Sequence, residues 1–332
     1  MKKFIILSFI AFSLCSSHGE FQEHSSWSKH FSKIFSDIKK LPMKKISVAA
    51  AEDSNVIEAI NIAKEKGIAD AILVGNEKKI RQIASERKID INKFEIINEE
   101  DPITSARIAV KLVHDGKADM YMKGMLQTKD FLRSILDKEV GLRSGVMLSH
   151  VAVFEIKGID QLLFMTDGGF VIEPSLEDKV HLIENAVKIA QACGIEKPKV
   201  APLCAVDVVN PKMRCTVEGK KLTEMNENGE IKNCIVDGPM SMDMAISREA
   251  CEIKGTLDRK ITGDADILLF PDIHSNNLSV KIVAHTAEHY GGMILAGTSA
   301  PVILTSRSDD INTKVSSIAF ASYIAENLKK LK

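Results

Sequence analysis

The sequence predicts an α/β fold of mostly parallel strands, with helices on both faces and some antiparallel strands. Three observations predict it. Short β-branched runs alternate with helical apolar spacing from Lys45 onward, the rhythm of βαβ units. The length of 332 residues exceeds one typical domain and suggests two. The chain closes on a strand that feeds a helix through a polar turn, in the stretch GTSAPVILTSRSDD at 297–310. If the final strand and helix rejoin the first sheet, the division is discontinuous. One domain is then 31–145 plus 297–332 and the other 146–296, with 1–30 a leader or an extension beyond the domains.

The elements follow in order. A helix-like pattern covers 31–40, then a strand 46–51 and a helix 54–67, opened by Ser54 and stopped by Gly67. Strands at 71–74, 94–97 and 119–123 alternate with helices at 77–89, 103–114 and 128–136. Asp101-Pro102 opens the second of these helices and Gly116 lies beyond its end. In the middle, strands 147–156 and 162–165 flank Lys157-Gly158, a hairpin-like turn. A long helix, 176–192, closes at Gly194. Strands are expected at 199–206 and 233–236, with a helix and surface loop in 210–231 between them. Strand 265–271, helix 278–290 and strands 293–296 and 301–306 lead to the last helix. That helix has apolar positions Ile311, Val315, Ile318, Ile324 and Leu328.

Composition removes several function classes. Apolar residues make up 45% and charged residues 27%, and the net charge of -1 offers no field for nucleic acid or anionic membrane. One Trp and three Tyr are too few for a base-stacking platform. The cysteines at 15, 193, 204, 215, 234 and 251 include no C-x-x-C pair. His285 and His289 are four apart on an expected helix, but no carboxylate motif accompanies them, so no metal site is read there. There is no P-loop, no G-x-G-x-x-G after the first strand and no G-x-S-x-G elbow. At the amino terminus, Lys2 and Lys3 precede an apolar run from Phe4 to Cys15 and then Ser16, Ser17, His18 and Gly19, the order of a secretory signal. That run is too short for a comfortable membrane span.

Chemistry-bearing residues collect at expected strand ends, where open α/β sheets bind ligands. Ser306, Arg307, Asp309 and Asp310 occupy the turn before the last helix, with Ser308 between them. Hydroxyls, a guanidinium and free amides make an anion site, and the same residues also read as an ordinary capped helix. Lys123 and Gly124 end one strand before a helix opened by Thr128, a setting for a phosphate or for a tight turn. Asp167 followed by two glycines leaves a carboxylate and exposed amides at another rim. Ser275 and Asn277 gather in a polar segment before a helix. Arg133 and Arg143 flank a polar segment as possible second phosphate contacts, and Thr298 and Ser299 begin the final strand unit.

Several runs in order then resemble the phosphate acetyl/butyryl transferase family, nearer its butyryl branch. They are GIADAILVG at 67–75, MKG at 122–124, FLRS at 131–134, KEVGLR at 138–143 and SHVAVFE at 149–155. Thr166-Asp167, KVAP at 199–202, VDGP at 236–239 and GTSAPV at 297–302 complete them. The resemblance runs from about residue 31 to the end. It implies the reaction acyl-CoA plus phosphate giving acyl phosphate plus CoA, with butyryl favoured over acetyl. It also implies two domains of the isocitrate/isopropylmalate dehydrogenase type with the active site in the cleft between them, a homo-oligomer, and no cofactor beyond the substrates. Ser306 and Arg307 match the family's Ser-Arg pair. Thr313 stands where the acetyltransferases carry an aspartate, His285 falls near their second arginine, and Asn276 replaces a usual glycine. Asp309 or Asp310 is then the expected base, or both cap the helix.

Two expectations compete over location. CoA chemistry implies the cytoplasm, with the start codon assigned too far upstream and Met43 a candidate true start, which would forfeit the helix-like 31–40. A genuine export signal implies an anion-binding protein that performs no chemistry.

Overall fold

The computed structural model describes residues Phe21, Glu23 and 25–330. The signal-like segment 2–19 lies outside them. Among the described residues a single sheet of eleven strands runs through the fold. Its first half contains β1 (Lys44–Ala49), β2 (Ala69–Gly75), β3 (Glu95–Asn98) and β4 (Met120–Lys123), all parallel in the order β3-β2-β1-β4. The second half contains β6 (Leu163–Thr166), β7 (Lys199–Pro202), β8 (Ile235–Val236) and β9 (Ile267–Leu269), parallel in the order β6-β9-β7-β8. Two long strands join the halves, β5 (Ser149–Ile156) and β10 (His289–Ala296), antiparallel to each other over eight residue pairs. β5 is antiparallel to β6, as the Lys157-Gly158 turn predicts. The short β11 (Val302–Ile303) lies between β4 and β10, parallel to β4. The end of the chain thus returns to the first half.

Helices cover both faces. One face carries a continuous core that runs across the sheet from β2 to β8. It is covered by α1 (His30–Ile38), α2 (Ser54–Glu65), α3 (Glu77–Glu86), α6 (Leu176–Ala192) and α11 (Ile311–Lys330), with α7 (Arg214–Glu227) adding Leu222. On the other face the core is divided. One cluster lies beneath α4 (Pro102–His114) and α5 (Thr128–Ile135). Another lies beneath α8 (Met242–Ile246), α9 (Arg248–Lys254) and α10 (Ile273–Thr286). Side chains alternate between faces along a strand. Lys123 therefore follows Tyr121, and His150 precedes Ala152, onto the divided face. Gly292 lets α11 approach β10, since a Cβ there would stand 2.6 Å from the Phe320 ring.

Several boundaries differ from the sequence reading. Asp53, rather than Ser54, caps α2, its carboxylate accepting from Val56 N at 3.0 Å. α8 and α9 were not expected: both are short, and Ser247 between them gives no long apolar period. α10 starts five residues before the expected 278, because Asp272 caps it by accepting from Ser275 N. Ser275, Asn276 and Asn277 consequently lie on the helix rather than in a loop before it. His289 belongs to β10, so His285 and His289 do not share a helix.

α1 is bound in two ways. Phe31 and Phe35 are fully buried, beside Tyr290 and Phe320. The buried Glu155 of β5 receives the start of the helix. Its carboxylate accepts from Ser28 Oγ at 2.7 Å and from the backbone amides of Lys29, His30 and Phe31 at 2.6, 2.9 and 2.8 Å.

Candidate active site

The turn 304–310 after β11 is built on Asp309. Its Oδ2 accepts from Ser306 N at 2.7 Å, which folds the turn back on itself. Its side chain is 6% exposed, and Oδ1 lies 3.3 Å from Lys281 Nζ, which reaches in from α10. The fully buried Lys314 of α11 holds the turn from below, donating to the carbonyls of Ser306 at 3.1 Å and Asp309 at 2.6 Å. Asp310 does a different job: its Oδ1 accepts from Thr313 N at 2.7 Å and caps α11, while the residue itself is exposed. Geometry thus separates the two aspartates that the sequence left equivalent, and Asp309 is the one inside the site.

Cations surround this carboxylate. Lys123 is buried at the end of β4, its ammonium 3.3 Å from the carbonyls of Gly124 and Leu126. Burial lowers its pKa, and the neighbouring Arg307 charge lowers it further. Burial also lowers the pKa of Lys314, against the pull of Asp309 and Asp53. Two ammonium groups are therefore held where their charge is costly, a condition that an incoming anion relieves. Arg307 is exposed, and among the described residues no hydrogen bond or ion pair engages its guanidinium. Ser306 Oγ lies 3.1 Å from Ser308 Oγ. His150 approaches from β5. Burial depresses its pKa although Asp167 and Asp309 oppose the shift, and its Nδ1 has no partner among the described residues.

The other expected residues fall in different places. Asp167 does not present a free carboxylate at the rim. Its oxygens are filled by the amides of His150, Gly169 and Phe170 at 2.8, 2.7 and 2.8 Å, so it pins the turn after β6. Asn277 donates to Gly168 O at 2.9 Å, joining α10 to that turn, and Ser275 Oγ donates back to Asp272 O. Thr128 is exposed at the start of α5 and does not cap it; Gln127 occupies the cap position. Arg133 is paired with Asp130 at 3.3 Å and lines a cavity of about 690 Å³ along α5, with Lys129, Leu132, Leu136, Asp137 and Lys138. Arg143, Thr298 and Ser299 come together, but at the opposite end of β11 from Ser306. Arg143 bridges Thr298, and Ser299 N donates to Leu142 O. Thr298 Oγ1 is used by its own turn, donating to Leu295 O and Ala300 O. His285 is exposed, one turn beyond Lys281.

Gly124 is explained by packing. A Cβ there would stand 2.3 Å from Ala50 O and 2.6 Å from Ala49 O, backbone atoms that have no freedom to swing aside. Gly124→Ala is expected to cost about 1–3 kcal/mol, read from the denaturation midpoint. An unchanged midpoint with weaker substrate binding would instead assign this glycine to ligand approach.

Sequence reading missed Asp53, His150, Lys281 and Lys314. Only Lys314 left a signal: it is a lone charge in the otherwise buried run 313–322 of α11. The others are brought in by the sheet and by α10.

Fold and site together define an α/β protein that gathers cations around a strand-end turn, the setting of an enzyme acting on an anionic substrate. More narrowly, the chain belongs to the phosphate acetyl/butyryl transferase family. The family model described as phosphate acetyl/butaryl transferase matches residues 30–107 and 100–322. A phosphate butyryltransferase of Clostridium acetobutylicum is 50% identical over 299 residues, covering 90% of this chain and 99% of the relative. A phosphate acetyltransferase of Thermotoga maritima is 40% identical over 282 residues, 85% of this chain and 95% of that protein. Among solved structures, a branched-chain phosphotransacylase from Enterococcus faecalis superposes with a TM-score of 0.76 at 30% identity. That superposition covers 86% of this chain and 99% of the other. These relatives are acyl- and acetyl-transferring proteins by name, and they remove support from the reading of an exported anion-binding protein that performs no chemistry.

Proposed function

We propose that the chain transfers an acyl group between CoA and inorganic phosphate, with butyryl favoured over acetyl. The observation that carries this is the Ser306–Asp309 turn, with a free guanidinium and buried ammonium groups around one carboxylate, in a chain half identical to a phosphate butyryltransferase. Written toward acyl-CoA, the CoA sulfur forms a bond to the acyl carbon and the carbon–oxygen bond to phosphate breaks. The thiol proton passes to a base and the leaving phosphate carries the electron pair.

Arg307 holds the phosphate by a planar two-point contact. Ser306 Oγ hydrogen-bonds the thiol or the developing oxyanion, a contribution of about 3 kcal/mol. Asp309 serves as base from its buried place in the turn. Lys123 neutralises phosphate charge, and Gly124 keeps Lys123 beside the turn. Arg133 and the cavity along α5 receive the phosphates of CoA, and the exposed Thr128 at the start of the same helix adds a hydroxyl. Asp167, Ser275 and Asn277 shape the wall opposite; Arg143, Thr298 and Ser299 brace the far end of β11.

In this reading the two domains, 31–145 plus 297–332 and 146–296, are of the isocitrate/isopropylmalate dehydrogenase type, and the substrates meet between them. The enzyme needs no cofactor beyond its substrates, binds no metal or nucleic acid, and works in the cytoplasm as a homo-oligomer. Free cysteines at five described positions suit a reducing compartment. Leu278 and Ile282, one turn apart on α10 and each about two-thirds exposed, suit a contact between copies. No helix among the described residues is long and apolar enough to cross a membrane.

The test is thiol release from butyryl-CoA and acetyl-CoA, each with and without phosphate. Release is expected to depend on phosphate. Two buried methylene groups are worth about 1.6 kcal/mol, so kcat/KM is expected to be about fifteenfold higher for butyryl-CoA. An acetyl preference would place the enzyme in the other branch, and phosphate-independent release would remove the transferase assignment.

A further inference from the structure

The geometry points to Lys281 of α10 as a second phosphate-binding cation, acting with Arg307 from the opposite side of the turn. This rests on the phosphate acyltransferase reading and adds a residue to it. Lys281 Nζ lies 3.3 Å from Asp309 Oδ1 and 3.5 Å from Ser308 Oγ, and Ser308 Oγ lies 3.1 Å from Ser306 Oγ. One short chain of polar atoms therefore links the ammonium to the hydroxyl at the reacting end of the turn.

Both lysine contacts are long for a charge-assisted bond, which usually closes to about 2.7–2.9 Å. The ammonium is held near Asp309 without being saturated by it. Its side chain is 34% exposed whereas that of Asp309 is 6% exposed, so the free side of the pair is the lysine. Burial is the main cause of the lowered pKa of both His150 and Lys314, and the Lys281 charge works in the same direction as a minor contribution.

The position also suits the chemistry. As the carbon–oxygen bond breaks, the bridging oxygen keeps the electron pair and negative charge builds on the departing phosphate, while a single guanidinium covers one edge of it. An ammonium is a point charge on a flexible stem, able to follow the departing oxygens. The helix that carries Lys281 also holds the turn after β6 through Asn277. The second half of the protein thereby places a cation over a turn that belongs to the first. His285, one turn further along, is exposed and, among the described residues, makes no hydrogen bond or ion pair with the turn, which leaves Lys281 as the cation of this helix that reaches it.

The test compares wild type, Lys281→Met and Lys281→Arg. Steady-state assays separate kcat from KM for phosphate and for butyryl-CoA, and thermal melting with and without inorganic phosphate reads binding apart from turnover. In Lys281→Met the KM for phosphate is expected to rise about tenfold to a hundredfold. The KM for butyryl-CoA should stay within about twofold and the phosphate-induced rise in Tm should disappear. Lys281→Arg should restore most of the phosphate affinity. A Lys281→Met enzyme with wild-type phosphate KM and an intact phosphate-induced Tm shift overturns the assignment. So does a KM for butyryl-CoA that rises in parallel, or a loss of melting temperature without phosphate that Arg fails to repair. A wild type that transfers no acyl group refutes the transferase reading. A phosphate-induced Tm shift that Lys281→Met abolishes would still support Lys281 as an anion ligand.

Discussion

Arg307→Ala is expected to lower phosphate-dependent kcat/KM by about 10²–10³-fold, the loss that follows removal of one preorganised charge-stabilising group. The expectation rests on an exposed guanidinium that no described side chain engages, beside a turn closed by Asp309 and ringed by buried ammonium groups. Since Arg307 supports nothing else, the fold should be indifferent to its loss, with stability changed by no more than about 0.5 kcal/mol. Steady-state kinetics over a range of phosphate concentrations, alongside a denaturant titration, separates the two effects. Arg307→Lys should recover only part of the rate, because an ammonium replaces a two-point contact by a single point of charge. Full activity in the alanine variant, with unchanged dependence on phosphate, would remove Arg307 from the site.

A chain shortened to begin at Met43 is expected not to reach the folded state. It lacks α1, whose buried Phe31, Ile34, Phe35 and Ile38 are worth about 1.5–3 kcal/mol each when fully packed. It also removes the Ser28 hydroxyl and the three amides that the Glu155 carboxylate accepts from. Hydrogen bonds to a charged group are worth about 1.5–3 kcal/mol each. Together these losses match or exceed the whole stability of an ordinary domain, about 5–15 kcal/mol. The measurement is soluble yield and far-ultraviolet circular dichroism of a chain beginning at residue 43 against one beginning at 21. A soluble, cooperatively melting product from Met43 would show that the core tolerates the gap. Glu155→Gln in the longer chain isolates the cap itself, since the amide keeps the shape and gives up the charge.

Much of the fold is legible in the sequence. β-branched runs bounded by Gly, Asn and Asp gave the parallel strands, and the long period of 176–192 gave α6 to the residue. Lys157-Gly158 gave the antiparallel pair β5 and β6. Errors fell where two caps compete within a few residues. Asp53 took the cap expected of Ser54, and Asp272 started α10 early, carrying Ser275, Asn276 and Asn277 from a loop onto a helix. The short α8 and α9 left no period to read.

The site divided along a similar line. The sequence alone determined that Ser306, Arg307 and Asp309 share a turn between a strand and a helix, because backbone continuity fixes near neighbours. Through ordered family-like runs it also determined the family, which the family model and the relatives bear out. It did not decide which of two adjacent aspartates enters the site, because both suit a helix start. Only the folded backbone turns Asp309 inward to Ser306 N and leaves Asp310 outside as the cap of α11. Nor did it bring Lys123, His150, Lys281 and Lys314 to that carboxylate. Those residues are separated by up to 191 positions, from 123 to 314, and they meet because β4, β5, α10 and α11 converge on one turn. Local conformation follows from neighbouring side chains. The charge environment of a carboxylate follows from every element packed against it, and that is settled only by tertiary structure.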